Sequence, residues 1–306
     1  MSNYILVTGG IGFLGSHLIP RLKQTHQKIV IIDNEFSRQN IFGNDINVIF
    51  VKCDIRDDKQ VAKLFTTFNF SDIFHLAAHH FIPYCNNNVG ETIDVNLMGT
   101  INILKHCNQG VTFHFCSTAA VYKISNDSHN ESESPNPTDI YGLTKYHAEN
   151  YLKYYSNRYK FKAIIYRIFN LVGPNETNPH LIPEIINQLK YSKTLKLGNL
   201  STYRSYLDVR DCADAMIGIY KKQELVKENL NIFNISGEIL YSGEDIIRIF
   251  EDIIVSKIIV THDPQKMRPS DRTYLNGNID KIHRLTGWKP KINLTKSISD
   301  AIKSSN

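Results

Sequence analysis

A tyrosine and a lysine four residues apart can carry out acid–base chemistry when one helix holds both. The stretch 137–149 contains such a pair, Tyr141 and Lys145, and the spacing puts them on a single helical face. Lys145 can then hold positive charge beside the Tyr141 hydroxyl and favour its phenolate, lowering a pKa that starts near ~10. A phenolate is a general base toward a secondary alcohol, and the protonated phenol is a general acid toward a carbonyl. Thr118, at the end of a strand within the segment 115–122, adds a hydroxyl that can hydrogen-bond the reacting oxygen. Among the 16 tyrosines only Tyr141 has lysine at this spacing, yet chance alone produces about one such pair in a chain of this composition, so the pair gains meaning only from the elements around it.

Those elements begin at the N-terminus. Residues 4–8 are a short apolar run of buried-strand type. Gly9-Gly10-Ile11-Gly12-Phe13-Leu14-Gly15 follows, and then an amphipathic stretch over 16–24. Strand, glycine-rich turn and helix in this order form a dinucleotide-binding opening, in which small residues let backbone N–H groups approach a pyrophosphate at a helix N-terminus. A second strand, 28–32, is closed by Asp33 and Asn34. The Asp33 carboxylate can accept from a ribose diol and repel a 2′-phosphate, which favours NAD over NADP; Arg38 softens this preference if its loop folds back.

The third strand is expected over 48–55, with Asp54 and Ile55 leaving it toward an adenine, or with Asp54 instead capping a helix that begins near Asp57. The fourth, 72–78, ends in Leu76, Ala77 and Ala78, small enough for a cofactor to approach the backbone. In the loop that follows, His79 and His80 are adjacent and lack metal-ligand spacing; His80 is assigned to the sugar or its phosphate. A helix over 91–106 carries Asn96, able to bond across to a neighbouring helix backbone or to a water near Lys145. The fifth strand, 112–117, delivers Thr118. The polar loop 123–139 reads as a mobile flap. The Tyr141 helix runs to about Tyr159, and the sixth strand, 161–168, ends at Ile168 on the cofactor side.

Alternating strands and helices imply an α/β, doubly wound parallel sheet with ligands at the strands' carboxyl ends. Gly9, Asp33, Thr118 and Tyr141 all fall at or just beyond such ends, and this agreement lifts the Tyr–Lys pair above chance. A Rossmann domain over 1–166, with parts of 203–235 returning to it, is expected beside a smaller interleaved substrate domain over 167–306. The chain is 306 residues long, 42% hydrophobic and 21% charged, with a net charge of +5, the profile of a soluble globular protein. No Lys/Arg run of five occurs, so nucleic acid is a poor partner and anionic small molecules suit the charge. Five widely spaced cysteines without Cys-x-x-Cys read as buried free thiols in a reducing compartment. With neither a signal peptide nor a membrane span to be read, a cytoplasmic protein is expected.

With these residues in place the chain resembles an extended short-chain dehydrogenase/reductase of the nucleotide-sugar branch, from the glycine turn through 286–290. The resemblance implies that Thr118, Tyr141 and Lys145 are catalytic, that Lys145 holds the NAD ribose, and that a homodimer forms through the helices of Asn96 and Tyr141; Tyr151, Tyr154 and Tyr155 fit its face or, equally, a place in the core. Segment 167–174 is similar to the family segment whose asparagine, here Asn170, contacts a substrate diphosphate. By the same resemblance the segment 178–183, from Asn178 and with His180 and Leu181 as its substrate contacts, begins a helix that caps the nucleotide. Segments 197–211 and 267–288 are similar to GDP-mannose 4,6-dehydratases and GDP-4-keto-6-deoxyhexose reductases. They supply Leu197, Arg204, Arg268 and Asp271 to the substrate, the two arginine forks being suited to a diphosphate and ribose. Arg210, beside Asp208 and Asp211, and the single Trp288 read as structural.

One departure narrows the chemistry. The 4,6-dehydratases carry an acidic residue just after the Ser/Thr, where this chain has Ala119 and Ala120. Alanine cannot move protons, so what remains is hydride transfer at C4. The expected substrate is a nucleoside-diphosphate sugar, with a GDP-sugar ahead of UDP- or dTDP-sugars, and the resemblance implies a bacterial surface (capsule) polysaccharide pathway, with a GDP-manno-heptose derivative as its sugar. The enzyme is a 4-dehydrogenase or 4-epimerase; a GDP-4-keto-sugar reductase and a non-catalytic NAD- or nucleotide-sensing protein are the alternatives.

Overall fold

The computed structural model describes residues 3–25, 28–43, 45–266 and 272–305. Its first half alternates as the apolar runs predict: β1 (Tyr4–Thr8), α1 (Phe13–Lys23), β2 (Lys28–Asp33), β3 (Val48–Lys52), α2 (Asp58–Thr67) and β4 (Phe70–His75). Short helices α3 (Ile82–Asn87), α4 (Val89–Ile93) and α5 (Gly99–Leu104) lead to β5 (Thr112–Thr118), a 3₁₀ turn over Ala119–Val121, the long α6 (Ile140–Tyr159) and β6 (Lys162–Ile168). The second half contributes β7 (Asn170–Val172), α7 (Leu181–Leu189), β8 (Thr194–Leu197), β9 (Tyr203–Asp208), α8 (Val209–Lys221), β10 (Leu230–Ile235), β11 (Leu240–Ser242), α9 (Gly243–Ile254), β12 (Ile259–His262), β13 (Tyr274–Leu275), α10 (Asp280–Thr286) and α11 (Leu294–Ser304).

Seven parallel strands form the main sheet in the order β10-β6-β5-β4-β1-β2-β3. The β1 and β4 strands meet where the chain reverses its direction of travel across the sheet, the place at which such folds bind ligands. Register brings the carboxyl ends level: Thr8 lies opposite both Ile32 and His75, and Thr118 lies opposite Ile168. Apolar residues cover both faces of the sheet, as parallel strands require, with α1 and α8 against one face and α2, α5 and α6 against the other. A third core, built from α7, β8, α9 and α11, supports the smaller sheet of β7, β9, β11 and β13.

Four expectations change. The β3 strand stops at Lys52, so Asp54 and Ile55 lie beyond it, and α2 is capped by Asp57, whose carboxylate accepts from the Lys59 and Gln60 amides. Asp54 therefore does not cap that helix. α1 starts at Phe13 rather than at 16, which puts Phe13, Leu14 and Gly15 in its first turn. The expected helix over 91–106 is interrupted by a π-helical turn at Asp94–Met98, centred on Asn96. Lastly, the polar loop 123–139 is pinned: His129 is buried, stacks on Tyr122 and bridges to Gly277, while Arg272 donates to the Ala120 and Lys123 carbonyls. All five cysteines are buried and free, Trp288 is buried with its indole N–H on the Asp211 carbonyl, and Arg210 is paired with Asp208 and Asp300, as expected of structural residues.

Candidate active site

Two glycines of the β1–α1 turn are required by geometry. Gly9 has φ +66°, and a Cβ there would lie 2.7 Å from Ala77 Cα; a Cβ on Gly15 would lie 2.4 Å from the Gly10 carbonyl oxygen. At Gly12, the N-cap of α1, a Cβ would meet only the Gly9 carbonyl, at 3.1 Å, so the outer side of the turn is open. An open backbone cradle at the start of an 11-residue helix fits a pyrophosphate. Asp33 stands at the end of β2, accepting from the Glu35 amide at 2.9 Å, and burial raises its carboxyl above the usual range. Such a carboxylate fits the diol of a ribose. Asn34 reaches Asp54 at 3.5 Å, and Asp54 also grips Arg56 at 2.6 Å. Buried Ile55 packs so closely that a Cβ on Gly99 would come within 2.5 Å of it.

A buried hydrogen-bond chain sets the strand ends beside this cradle. The Ala77 amide donates to Thr8 Oγ1 at 3.2 Å, and Thr8 meets His75 Nδ1 at 2.7 Å. His75 Nε2 lies 2.9 Å from Thr100 Oγ1, which itself donates to the Asn96 carbonyl. Because the Thr100 hydroxyl proton is committed, His75 must donate from Nε2 and accept at Nδ1 from Thr8. Burial and the Lys145 charge push its pKa down to about 3, consistent with that neutral tautomer.

The π turn then aims Asn96. Its amide oxygen accepts from the His79 N–H, and its nitrogen donates to the His79 carbonyl, both at 2.8 Å, and to Thr144 Oγ1 at 3.1 Å. Its partner on α6 is thus a side chain and not the helix backbone, because Thr144 turns its hydroxyl back to the Tyr141 carbonyl.

α6 starts at the Asp139 cap and carries Tyr141, Lys145 and Glu149 on one stripe. Glu149 is buried in a two-pronged pair with Arg167 and accepts from Ser117, the neighbour of Thr118. This pair fixes α6 against the ends of β5 and β6 and so sets Tyr141 and Lys145 opposite Thr118. Thr118 Oγ1 accepts from the Ala120 amide. The Lys145 ammonium lies over the Phe115 ring, 4.6 Å from its centroid, and makes no hydrogen bond among the described residues.

The electrostatics differ from expectation. Burial pushes the Tyr141 phenol well above its usual value, the Thr118 hydroxyl opposes this by lowering it, and Lys145 is not among the main causes of the shift. Burial likewise lowers Lys145 to about 8. Apolar walls disfavour both charges, so in the cofactor-free chain Tyr141 is a phenol at neutral pH.

On the substrate side, Asn170 opens β7 with a buried Oδ1 that has no partner among the described residues. The loop from Gly173 to α7 meets the loop after β4: Asn178 Nδ2 lies 2.8 Å from His80 Nε2, and the His80 and His180 rings stack at 6.0 Å. Burial lowers His80 to about 4. Sequence reasoning missed the Asn178–His80 contact and Phe81, which packs on His180 at 5.4 Å, because both join loops about a hundred residues apart. Leu181 begins α7, Leu197 is buried at the end of β8, and Arg204 donates to the Tyr203 and Arg272 carbonyls. Leu76, Ala77, Ala78 and Ile168 line the carboxyl edge half-buried. Arg268 and Asp271 lie outside the described residues.

A family model described as GDP-mannose 4,6 dehydratase matches residues 6–301. The chain belongs to that family. Among its relatives is a putative UDP-glucose 4-epimerase of Methanocaldococcus jannaschii, 31% identical over 97% of this chain and 97% of that protein. Another is a GDP-6-deoxy-D-talose 4-dehydrogenase of Aggregatibacter actinomycetemcomitans, 30% identical over 92% of this chain and 91% of the relative. The solved UDP-glucose 4-epimerase of Thermus thermophilus, a complex with NAD, superposes with a TM-score of 0.87 at 25% identity, covering 98% of each chain. The Rossmann-like sheet is the one this family member shares with such short-chain dehydrogenase/reductase epimerases.

Proposed function

We propose that the protein is an NAD-dependent enzyme that moves a hydride at C4 of a nucleoside-diphosphate sugar. A GDP-sugar is favoured, and the reaction is a 4-dehydrogenation or 4-epimerisation. The observation that carries this reading is the convergence of Thr118, Tyr141 and Lys145 at one carboxyl edge, beside a glycine cradle that fits a pyrophosphate. NAD, when bound, supplies a positively charged ring that accepts the hydride. Gly9, Gly12, Phe13, Leu14 and Gly15 would hold its pyrophosphate, Asp33 and Asn34 the adenosine ribose, Asp54 and Ile55 the adenine, and Lys145 the second ribose.

Thr118 orients the C4 oxygen and Tyr141 exchanges its proton. With the phenol protonated at neutral pH, Tyr141 is ready as an acid toward a 4-keto sugar. In the oxidative direction it becomes a base only while positive charge, from Lys145 and the bound ring, stabilises its phenolate. That asymmetry keeps the 4-keto-sugar reductase as a second reading. Buried Ala119 and Ala120 occupy the turn after Thr118 and cannot move protons, which argues against dehydration although the family's model is named for a dehydratase. His80, Asn170, His180, Leu181, Leu197 and Arg204 would take the diphosphate, nucleoside and sugar, together with Arg268 and Asp271. The relatives named for GDP- and UDP-sugars support the substrate class.

The test is incubation with GDP-, UDP- and dTDP-sugars while following 340 nm absorbance and product mass. A two-mass-unit loss with NADH formed identifies a dehydrogenase; an unchanged mass with a new stereoisomer identifies an epimerase. Tyr141→Phe should reduce turnover by ~10²–10⁴ while NAD binding persists, and undiminished turnover would refute the mechanism. We also propose a homodimer through α4, the π turn and α6, which pack side by side and leave Val89, Ile93, Met98, Leu143, Tyr151 and Tyr154 exposed. Tyr155 beside them is half-buried, packed against the core of the main sheet.

A further inference from the structure

The loop between β7 and α7 is held by two side chains from the other half of the molecule. His17 of α1 donates from Nε2 to the Pro174 carbonyl at 3.0 Å, and Arg38, five residues after Asp33, donates from Nη2 to the Asn175 carbonyl at 2.7 Å. The loop has the shape this grip needs: Gly173 has φ +147° and Asn175 has φ +69°, so consecutive carbonyls turn toward α1 and the β2 loop. Its far end is the Asn178–His80 contact and the His180 ring. Arg38 Nε is buried with no partner among the described residues, and Arg38 lies on the loop that leaves β2 at Asp33. One side chain thus ties the loop that begins at Asp33, the carboxylate that would hold the adenosine ribose, to the loop that presents the sugar-side residues.

From this arrangement we infer that Arg38 is a positioning residue coupling occupancy of the adenosine-ribose site to the order of the 173–180 loop. The inference rests on the cofactor reading above. A ribose bound at Asp33 orders the loop after β2, and Arg38, which already donates to the Asn175 carbonyl, carries that order to the 173–180 loop and its contacts with His80 and His180. A 2′-phosphate would act in the opposite sense, repelling Asp33 and drawing Arg38 to itself. NAD and NADP therefore differ in what they do to the sugar site, beyond any difference in affinity.

The experiment is amide hydrogen exchange on peptides covering 9–15 and 173–180, in wild type, Arg38→Ala and Arg38→Lys, each without ligand, with saturating NAD and with saturating NADP. In wild type, NAD should slow exchange in both peptides, the second by about threefold or more, whereas NADP should protect only the first. Arg38→Ala should keep NAD protection at 9–15 and lose it at 173–180, and Arg38→Lys should restore part of it. Equal protection of 173–180 in wild type and Arg38→Ala would overturn the coupling. Absence of NAD protection at 9–15 in wild type would overturn the cofactor reading and the coupling with it, and is distinguishable because it precedes any effect of the variant.

Discussion

Lys145 shows how function and stability part at a single residue. Its ammonium is buried against Phe115, and its pKa falls from the usual 10.5 to about 8. The folded state therefore binds fewer protons than the unfolded chain between pH 8 and 10.5, so this group's contribution to stability rises with pH across that window and is a constant penalty below it. Lys145→Met should raise the melting temperature of the cofactor-free protein at pH 7 by roughly 5 °C, with the gain shrinking toward pH 10.5, while turnover is lost. Thermal unfolding at pH 7 and 10 checks this; a variant no more stable than wild type at pH 7 would show that burial costs the lysine little. Tyr141 and Lys145 stood out in the sequence once their spacing was read together with the glycine turn and the strand ends around them. Their ionisation did not, because desolvation depends on walls supplied by β5 and the loop after β4.

Among the elements, α6 is placed by contact at both ends of its reactive stripe. Below, Glu149 is tied to Arg167 and Ser117; above, Gly142 lies on the 3₁₀ turn so closely that a Cβ would fall 2.4 Å from the Ala120 carbonyl oxygen. Gly142→Ala must therefore lift the first turn of α6, with Tyr141, away from Thr118. We expect a stability loss of about 1–3 kcal/mol and a fall in kcat of at least tenfold with NAD affinity little changed. Chemical denaturation and steady-state kinetics measure the two effects; a wild-type kcat would show that the turn yields instead. The strands and α6 were readable in the sequence because apolar runs, and the polar loop ending at 139 where α6 can begin, are local signals. The Glu149–Arg167 pair and the π turn were not, since the first joins residues on different elements and the second replaces a pattern that still reads as ordinary helix.

For the molecule as a whole, the same distinction holds between local and distant information. Six strands of the main sheet followed from short apolar runs, but the seventh, β10, returns beside β6 only after the smaller sheet has begun; within the span 203–235 it is α8 and β10 that pack with the large sheet, while 203–208 form the middle strand of the small one. The exposed face of α4 and α6 belongs to this scale as well. Six large apolar side chains lie exposed there, Tyr154 at 57%, and they are the surface on which the proposed dimer rests. Leu143→Glu combined with Tyr154→Lys should convert a dimer to a monomer in sedimentation velocity while leaving the unfolding transition cooperative. A wild type that already sediments as a monomer would remove the dimer from the account.

The π turn at Asp94–Met98 has a meaning for anyone transplanting this site. One extra residue sits within a helix that is otherwise regular, and it is what sends the Asn96 side chain to His79 and Thr144 rather than a third of a turn away. A designed scaffold that copied Thr118, Tyr141 and Lys145 onto ideal helices would reproduce the reactive groups and omit the irregularity that aligns the loop beneath them. Faithful grafting has to carry over a defect in the helix along with the chemistry.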